Sequence, residues 1–235
     1  MGWLPMSNEK KCLALQLKGP LQSWGFDSQY SRRNTGLMPT KSAVAGMICA
    51  ALGYPRGSEK ECDFLGKFKN VSMTAIAVPS WQFLQEPQPV RRLQDYHTVR
   101  KTRKAEGGIK ETHITHRQYL SDAAFVVLLY GVSALIEECA KHLRNPIWGT
   151  FLGRKSCIPA LPVLFVRFDP EKLWFESEAE ALSHILNGKP LDSFQYVKDA
   201  ESFEAGTDSL PDHADSFKSI ARKFSPRRVI VNKGK

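Results

Sequence analysis

The chain has 235 residues, 42% of them hydrophobic, and its 33 Lys and Arg against 24 Asp and Glu give a formal net charge of +9. This length and composition are typical of a folded protein with one large domain or two small ones. No apolar run is long enough to span a bilayer, no CxxC pair indicates a zinc site or a disulfide framework, and no apolar signal core is present. We therefore expect a cytoplasmic protein without a metal, a cofactor or a membrane contact.

Hydropathy patterns predict a mixed order of strands and helices. In chain order these are a strand at residues 12–20, a helix at 40–53, a strand at 71–78, a polar insertion at 80–117, a strand at 121–131, a helix at 132–146, a glycine-bearing loop at 151–162 and a strand at 163–168. Residues 169–235 are less regular and contain one predicted helix at 178–186 and a last strand at 227–231.

The order β-α-β-insertion-β-α-β predicts an α+β fold of the ferredoxin-like type over residues 1–168. Two helices would cover one face of a four-stranded sheet, and we expect the other face to be free, as in RNA-recognition domains (an RRM-like sheet). Residues 169–235 are expected to form a small β-rich extension packed on the same domain. The insertion is too long for an idle connection in a compact domain, so it is either functional or disordered.

The charge is unevenly distributed along the chain. Residues 91–117 contain eight Lys or Arg and three Asp or Glu, residues 171–215 contain eleven acids and three bases, and residues 218–235 contain seven bases and no acid. Such clustering is typical of nucleic-acid-binding proteins, although incidental charge runs on a solvated face also produce it. We expect the acidic segment to face a basic partner or solvent.

The loop before the first predicted helix is a candidate phosphate site. Arg32 and Arg33 precede a turn at Gly36, and Thr40, Lys41 and Ser42 begin the helix. Free N–H groups at a helix start attract anions and disfavour a lysine unless an anion neutralises it. Lys41 therefore indicates a bound phosphate or, equally well, a capped helix whose lysine reaches solvent.

A second candidate is the loop that contains Gly153, Arg154 and Lys155. Glycine permits close approach of a ligand, and the two cations are suited to phosphate oxygens. A solvated turn is the simpler alternative. The pattern GxxxxGK[ST] is missing, so nothing indicates nucleoside triphosphate hydrolysis.

The main functional question concerns residues 93–122. Metal-independent RNA cleavage needs a base, an acid and a cation, and the segment supplies Tyr96, His97, Lys101, His113 and His116. Little apolar sequence is available to hold these side chains in place, as catalysis requires. His113 and His116 have no third ligand at a spacing that indicates a metal.

The alternative is a basic arm that binds a polyanion without breaking it. Its arginines and lysines would neutralise phosphates, and Tyr96 and His97 offer flat faces on which bases stack, for about 1–3 kcal/mol each. If about six phosphates are neutralised, the affinity for a single strand falls on the order of 300-fold between roughly 50 and 200 mM salt.

Six blocks of the sequence together resemble a known family. They are LQLKGPLQSWG, RRNTGLMPTKSAVAGMICAALG, LQDYHTV, HRQYLSDAAFVVLL, WGTFLGRKSCIPALP and RKFSPRRVIV. In this order, over residues 13–231, they resemble the CasD family, the crRNA 5′-handle-binding RAMP subunits of the type I-E CRISPR Cascade complex. The segment at 172–215 departs from the family's pattern.

This resemblance implies a ferredoxin-like RAMP fold in which the insertion at 80–117 is a protruding β-hairpin thumb. It also implies a structural subunit and not an enzyme. Such a subunit caps the 5′ handle of the crRNA in antiviral defence, contacts the backbone subunit CasC and the large subunit CasA, and meets target DNA only through the complex.

The resemblance also assigns residues to RNA binding. In the domain body they are Trp24, Arg32, Arg33, Gly36, Thr40, Lys41, Ser42, Gly153, Arg154 and Lys155, and in the thumb they are Arg91, Arg92, Tyr96, His97 and Arg117. The alternative function is a metal-independent endoribonuclease that processes precursor crRNA with Tyr96, His97, His113 and His116.

Overall fold

The computed structural model describes residues 9–29, 31–79, 90–104, 106–165, 172–218 and 222–234. Its strands are β1 (Lys10–Lys18), β2 (Leu21–Gln22), β3 (Trp24–Gly25), β4 (Arg32–Arg33), β5 (Thr35–Gly36), β6 (Ser72–Ala77), β7 (Arg91–Arg103), β8 (Ile109–Ser121), β9 (Ala124–Val132), β10 (Gln195–Asp199), β11 (Asp208–Ser216) and β12 (Lys223–Lys233). Its helices are α1 (Lys41–Ala51), α2 (Glu59–Phe68), α3 (Ser133–Arg144) and α4 (Glu178–Ile185). The protein is a mixed α/β structure.

The main sheet has six strands in the order β1-β9-β6-β10-β12-β11, and all neighbouring strands run antiparallel. One half of this sheet consists of β1, β9 and β6, which confirms the strands predicted at 12–20, 121–131 and 71–78. On β1, Leu13, Leu15 and Leu17 point to one face and are fully buried, while Cys12 and Ala14 are buried on the other. A strand that is buried on both faces lies between two packed layers.

A further segment pairs with the outer edge of β1. The N–H of Gln16 donates to the carbonyl oxygen of Val163 at 2.8 Å, and the N–H of Phe165 donates to that of Ala14 at 3.0 Å. Leu164 forms an antiparallel bridge with Leu15. The strand predicted at 163–168 thus begins in the expected place, and residues 166–168 lie outside the described residues.

Three helices, α1, α2 and α3, pack on one face of the main sheet around the largest hydrophobic core. The helices predicted at 40–53 and 132–146 are confirmed as α1 and α3. Helix α2 was not predicted, although Ser58 caps its first turn and Phe64, Leu65 and Phe68 form its buried stripe. No helix in the described ranges is long and apolar enough to cross a membrane.

The second face of the sheet is covered, which corrects the RRM-like expectation of a free face. Phe175 and Ala181 pack against Cys12, Ala14, Val126 and Leu128. Farther along, Leu186 and Phe194 pack on Ile76. The covering residues come from α4 and its flanks, in the part of the chain that was expected to be a small β-rich extension packed on the same domain. A nucleic acid therefore has no open sheet to bind at the position used by RNA-recognition domains.

The C-terminal part extends the main sheet beyond β6 through β10, β12 and β11. The predicted helix at 178–186 corresponds to α4, and the predicted last strand at 227–231 lies within β12. Strands β10 and β11 were not predicted, because their sequences are polar and do not alternate regularly. The register between β11 and β12 also shifts twice, after Leu210 and after Ala214.

Candidate nucleic-acid interface

The basic insertion forms a long two-stranded hairpin. Strands β7 and β8 pair antiparallel from Arg91 opposite Ser121 to Arg103 opposite Ile109. Gly107 and Gly108 close the turn with φ values of 87° and 82°, which only glycine adopts at low cost. The other edge of β8 pairs with β2 and, in parallel, with β4. The hairpin is thereby anchored to the body at its base, and residues 80–89 lie outside the described residues.

One side of the hairpin, here called the Tyr96 face, combines cations, amides and aromatic rings. Side chains alternate between the faces of a strand, and residues directly opposite each other share a face. Tyr96 is opposite His116, Gln94 is opposite Gln118, and β4 places Arg32 beside His116. By this alternation, the face includes Arg32, Asn34, Arg92, Gln94, Tyr96, Arg100, His116 and Gln118.

The opposite face carries a different set of side chains. Arg117 is opposite Asp95 on the neighbouring strand, and His97 Nδ1 lies 3.6 Å from the Asp95 carboxylate. Arg117 donates through Nε to Thr115 Oγ1 at 3.0 Å, and β4 places Arg33 beside Arg117. Arg91 and His113 belong to this face by alternation. Because acid and base pair within it, this face is less purely cationic than the Tyr96 face.

The residues of the catalytic alternative do not converge. Tyr96 and His116 share the Tyr96 face, with ring centroids 5.4 Å apart, whereas His97 and His113 lie on the opposite face. A general acid and a general base must both reach one scissile phosphate, so the two pairs cannot serve the same bond in this arrangement. In the described part of the chain, no three His, Cys, Asp or Glu side chains are grouped as a metal site requires.

A pocket of about 230 Å³ opens on the Tyr96 face where β4, β7 and β8 meet. It is lined by Arg32, Asn34, Gln94, His116 and Gln118. Asn34 Nδ2 donates to the carbonyl oxygen of Asp27 at 3.0 Å, and Gln94 Nε2 lies 3.5 Å from His116 Nδ1. Tyr96, beside the pocket, is 61% exposed. Among the described residues, the lining is rich in hydrogen-bonding groups and contains no carboxylate.

The loop with Gly153 and Arg154 braces the base of the hairpin. The Arg154 guanidinium donates to the carbonyl oxygens of Gln118 at 3.1 Å and Arg33 at 2.7 Å, and it lies over the Tyr119 ring at 4.7 Å. A Cβ at Gly153 would overlap the carbonyl oxygen of Ser23, and its φ is +94°. Both residues serve contacts within the protein, whereas Lys155, the third predicted residue of this loop, is exposed.

Trp24 is not placed to stack on a base. The side chain is fully buried, and its indole N–H donates to Gln22 Oε1 at 3.1 Å. Its backbone N–H donates to Thr35 Oγ1 at 2.8 Å, and Trp24 pairs with Gly36 across β3 and β5. Trp24 thus shapes the loop that presents Arg32 and Arg33, which corrects its predicted contact with RNA, whereas the predicted RNA contact of Gly36 stays a prediction.

The start of α1 already has its anion, which corrects the prediction of a phosphate there. The side chain of Thr40 caps the helix by accepting from the N–H of Ala43, and Ser42 is only half-buried beside it. The N–H of Lys41 donates to Asp212 Oδ2 at 2.9 Å. The Lys41 ammonium is buried and donates to the carbonyl oxygen of Val71 at 2.6 Å and to Asp199 at 2.9 Å.

Two carboxylates of the acidic segment therefore face inward. Arg227 forms ion pairs with both Asp199 and Asp212, and with Lys41 they make a buried charge network that joins α1 to β10, β11 and β12. Burial opposes ionisation of Asp199, but the charges of Arg227 and Lys41 outweigh it and hold the pKa of this carboxyl below its ordinary value. Burial lowers the pKa of Lys41 despite its partner Asp199.

Sequence reasoning missed the amides of the pocket. Asn34, Gln94 and Gln118 carry no chemistry that singles them out along the chain. These amides could have been found only from the pairing register of the hairpin. With the turn fixed at the two glycines and both strands known, Gln94 lies opposite Gln118.

Comparison with known proteins assigns the chain to a family. A family model described as CRISPR-associated protein (Cas_Cas5) matches residues 12–230. The CRISPR system Cascade subunit CasD of Escherichia coli (strain K12) is 34% identical over 233 residues, which cover 94% of this chain and 96% of that protein.

Solved structures agree with this assignment. One described as a CRISPR RNA-guided surveillance complex has a TM-score of 0.72 and 28% identity, covering 94% of this chain and 88% of that chain. Another, described as a Cas protein, has a TM-score of 0.62 and 29% identity, covering 94% of this chain and 93% of that chain. With the family model spanning residues 12–230 and a relative above 30% identity over most of its length, this chain belongs to the CRISPR-associated Cas5 family.

Proposed function

We propose that this chain is a non-catalytic RNA-binding subunit of a Cascade-type CRISPR effector complex, where it holds the 5′ handle of the crRNA. The family and the CasD relative support membership of such a complex. The observation that carries RNA binding is the Tyr96 face of the β7–β8 hairpin, where Arg32, Arg92 and Arg100 lie with an exposed tyrosine and, in the described part of that face, without a carboxylate. Arginines neutralise phosphates, and aromatic rings accept stacked bases.

The proposed architecture is a ferredoxin-like RAMP domain whose hairpin is the thumb. The segment at 163–165, β1, β9 and β6 lie side by side in that order and are antiparallel. This corresponds to the order fourth, first, third, second strand of a βαββαβ unit. The hairpin lies between the second and third strands of that unit and is long and polar, which supports its interpretation as an arm that reaches other components.

We extend the proposal to the partners. The chain would contact the backbone subunit CasC and the large subunit CasA, reach target DNA only through the complex, and work in the cytoplasm. The buried charge network occupies only Asp199 and Asp212 of the acidic segment. Exposed acids such as Glu201, Glu204 and Asp208 are left to face solvent or a basic partner.

RNA binding by the full chain tests the proposal directly. Titration with single-stranded RNA at several salt concentrations should give a steep salt dependence. Replacing Arg92 and Arg100, two exposed cations of the Tyr96 face, together by alanine removes about two phosphate contacts, so the slope of log affinity against log salt should become shallower by about 1.4. The matched control replaces Lys60 and Lys67, two exposed lysines of α2, and should leave the slope unchanged. Equal effects of the two double variants would remove the hairpin from the RNA site.

The endoribonuclease alternative is tested with the same material. Labelled repeat RNA is incubated with the protein in EDTA, beside a variant in which His97, His113 and His116 are alanine. Cleavage that the variant loses would establish an enzyme and end the scaffold proposal. No cleavage, together with copurification of RNA that has one defined 5′ end when the other complex subunits are coexpressed, supports it.

A further inference from the structure

We propose that the pocket on the Tyr96 face receives one unstacked nucleobase of the bound RNA and reads its hydrogen-bonding edge. The inference rests on the proposed function, since it requires a single-stranded RNA on this face, and it adds base recognition to phosphate binding. The pocket is lined by Arg32, Asn34, Gln94, His116 and Gln118.

The lining comes from three separate segments that the fold brings together. Gln94 on β7 and Gln118 on β8 are directly opposite each other, and Arg32 on β4 lies beside His116 on β8. Asn34 follows β4 and is tied to the loop by its bond to the carbonyl oxygen of Asp27. The brace from Arg154 to the backbone of Gln118 and Arg33 fixes β8 and β4 relative to each other. Such a rigid frame suits recognition of a flat group in one orientation.

The chemistry of the lining favours a base over a second phosphate. An amide presents a donor beside an acceptor, as the edge of a nucleobase does, whereas a phosphate offers acceptors only. A phosphate site would collect cations, but of the five lining residues that the structure describes, three are amides and only Arg32 carries a permanent charge. Within the described residues, the side-chain amide of Gln118 and the Oδ1 of Asn34 make no hydrogen bond in the protein. They are available to a ligand.

Tyr96 supplies an adjoining surface on which a base can stack. The ring is held edge-on to His116, with an interplanar angle of 70°, and its face remains exposed. A base that leaves the RNA stack loses contact with its neighbours, and an aromatic face beside the pocket compensates for that loss. The cations Arg92 and Arg100 lie on the same face and can hold the phosphates on either side.

Homopolymeric RNA provides a test in which all binding registers are equivalent. Oligo(A), oligo(C) and oligo(U) of about 12 nucleotides carry the same number of phosphates, so differences in Kd report the bases. The full chain should distinguish the best from the worst by on the order of tenfold. Replacing Gln94 and Gln118 together by methionine keeps the side-chain length but removes the hydrogen bonds, and should reduce this ratio to about twofold. Gln195→Met, on an exposed residue of β10, should keep the wild-type ratio.

The salt dependence separates failure of the pocket from failure of the proposed function. A salt slope that is unchanged in the double variant, with base discrimination lost, supports the pocket and also shows that the variant is folded. Two results overturn the pocket and leave the proposed function standing, provided that the wild type shows a steep salt slope. One is that the wild type does not discriminate between bases, and the other is that discrimination survives in the double variant. No salt-dependent RNA binding by the wild type overturns both.

Discussion

Cations in two regions of this protein meet opposite surroundings. The Lys41 side chain is only 4% exposed and the Arg227 side chain 9%, and both pair with carboxylates from the C-terminal part of the chain. Arg92 and Arg100 on the hairpin are exposed, and the strand opposite them contributes Leu120 and Thr112, not acids. The same residue types therefore stabilise the fold in one place and remain exposed to solvent in the other.

The difference lies in where the counter-charge comes from. Ions that leave water lose several kcal/mol of hydration each, so they remain buried only with partners of good geometry. The network meets this condition because Asp199 and Asp212 are brought to Lys41 by the sheet. The exposed cations of the hairpin keep their hydration, so they lose little free energy when no carboxylate pairs with them. Burial, and not the charge count of a segment, distinguishes a cation that stabilises the fold from one that remains exposed to solvent.

The largest expected effect comes from breaking the buried network. Arg227→Met leaves Asp199 and Asp212 as neighbouring buried carboxylates without their shared partner, and should lower the free energy of unfolding by about 3–5 kcal/mol in urea denaturation. Lys223→Met, on an exposed residue of the same strand, should change it by less than about 0.5 kcal/mol. A small loss in both variants would mean that the network does not hold the C-terminal part of the sheet.

A change of pH tests the same network without breaking it. The folded pKa of Asp199 lies below its ordinary value, so the unfolded chain takes up a proton first as the pH falls. The stability that Asp199 contributes is therefore complete above about pH 4 and is lost as the pH falls through the folded pKa. Urea denaturation over this range should show a shallower acid slope for Asp199→Asn than for the wild type. Glu106→Gln, at the exposed hairpin turn, is the control, and equal slopes in all three proteins would contradict the assignment.

Sequence patterns were sufficient to predict the strands and helices that are determined by their own local sequence. Alternation predicted β1, short apolar runs predicted β6 and β9, helix-forming residues after a hydroxyl at Thr40 or Ser42 predicted α1, and the long basic insertion marked the hairpin. The pattern failed where long-range packing decides. Residues of α4 cover a face of the sheet that was expected to be free. This contact could not be predicted, because nothing in the local sequence of residues 173–186 shows which surface they will pack against. Polar strands such as β11 form because β12 pairs with them, and not because of their own propensity.

The functional residues show the same limit. Lys41 at a helix start indicated either a bound phosphate or a capped helix whose lysine reaches solvent, and the structure shows neither, because the ammonium is buried and a carboxylate of the protein supplies the anion. Asp212 supplies it from 171 residues away, through the hydrogen bond that its carboxylate accepts from the N–H of Lys41. Arg32, Arg33 and Lys155 are exposed, as their predicted contact with RNA requires. Their RNA contacts remain predictions.

The smallest expected effect on stability comes from the hairpin, and it completes the contrast with the network. Arg100→Ala removes an exposed cation of β7, so the free energy of unfolding should change by less than about 0.5 kcal/mol. The same substitution should make the salt slope of RNA binding shallower by about 0.7, the share of one phosphate on a single strand. Urea denaturation and salt titration of one preparation measure both, with Lys67→Ala as the variant that should change neither. A loss of stability above about 1 kcal/mol, with an unchanged slope, would place Arg100 among the structural cations, because only a residue that the fold depends on gives that pair of results.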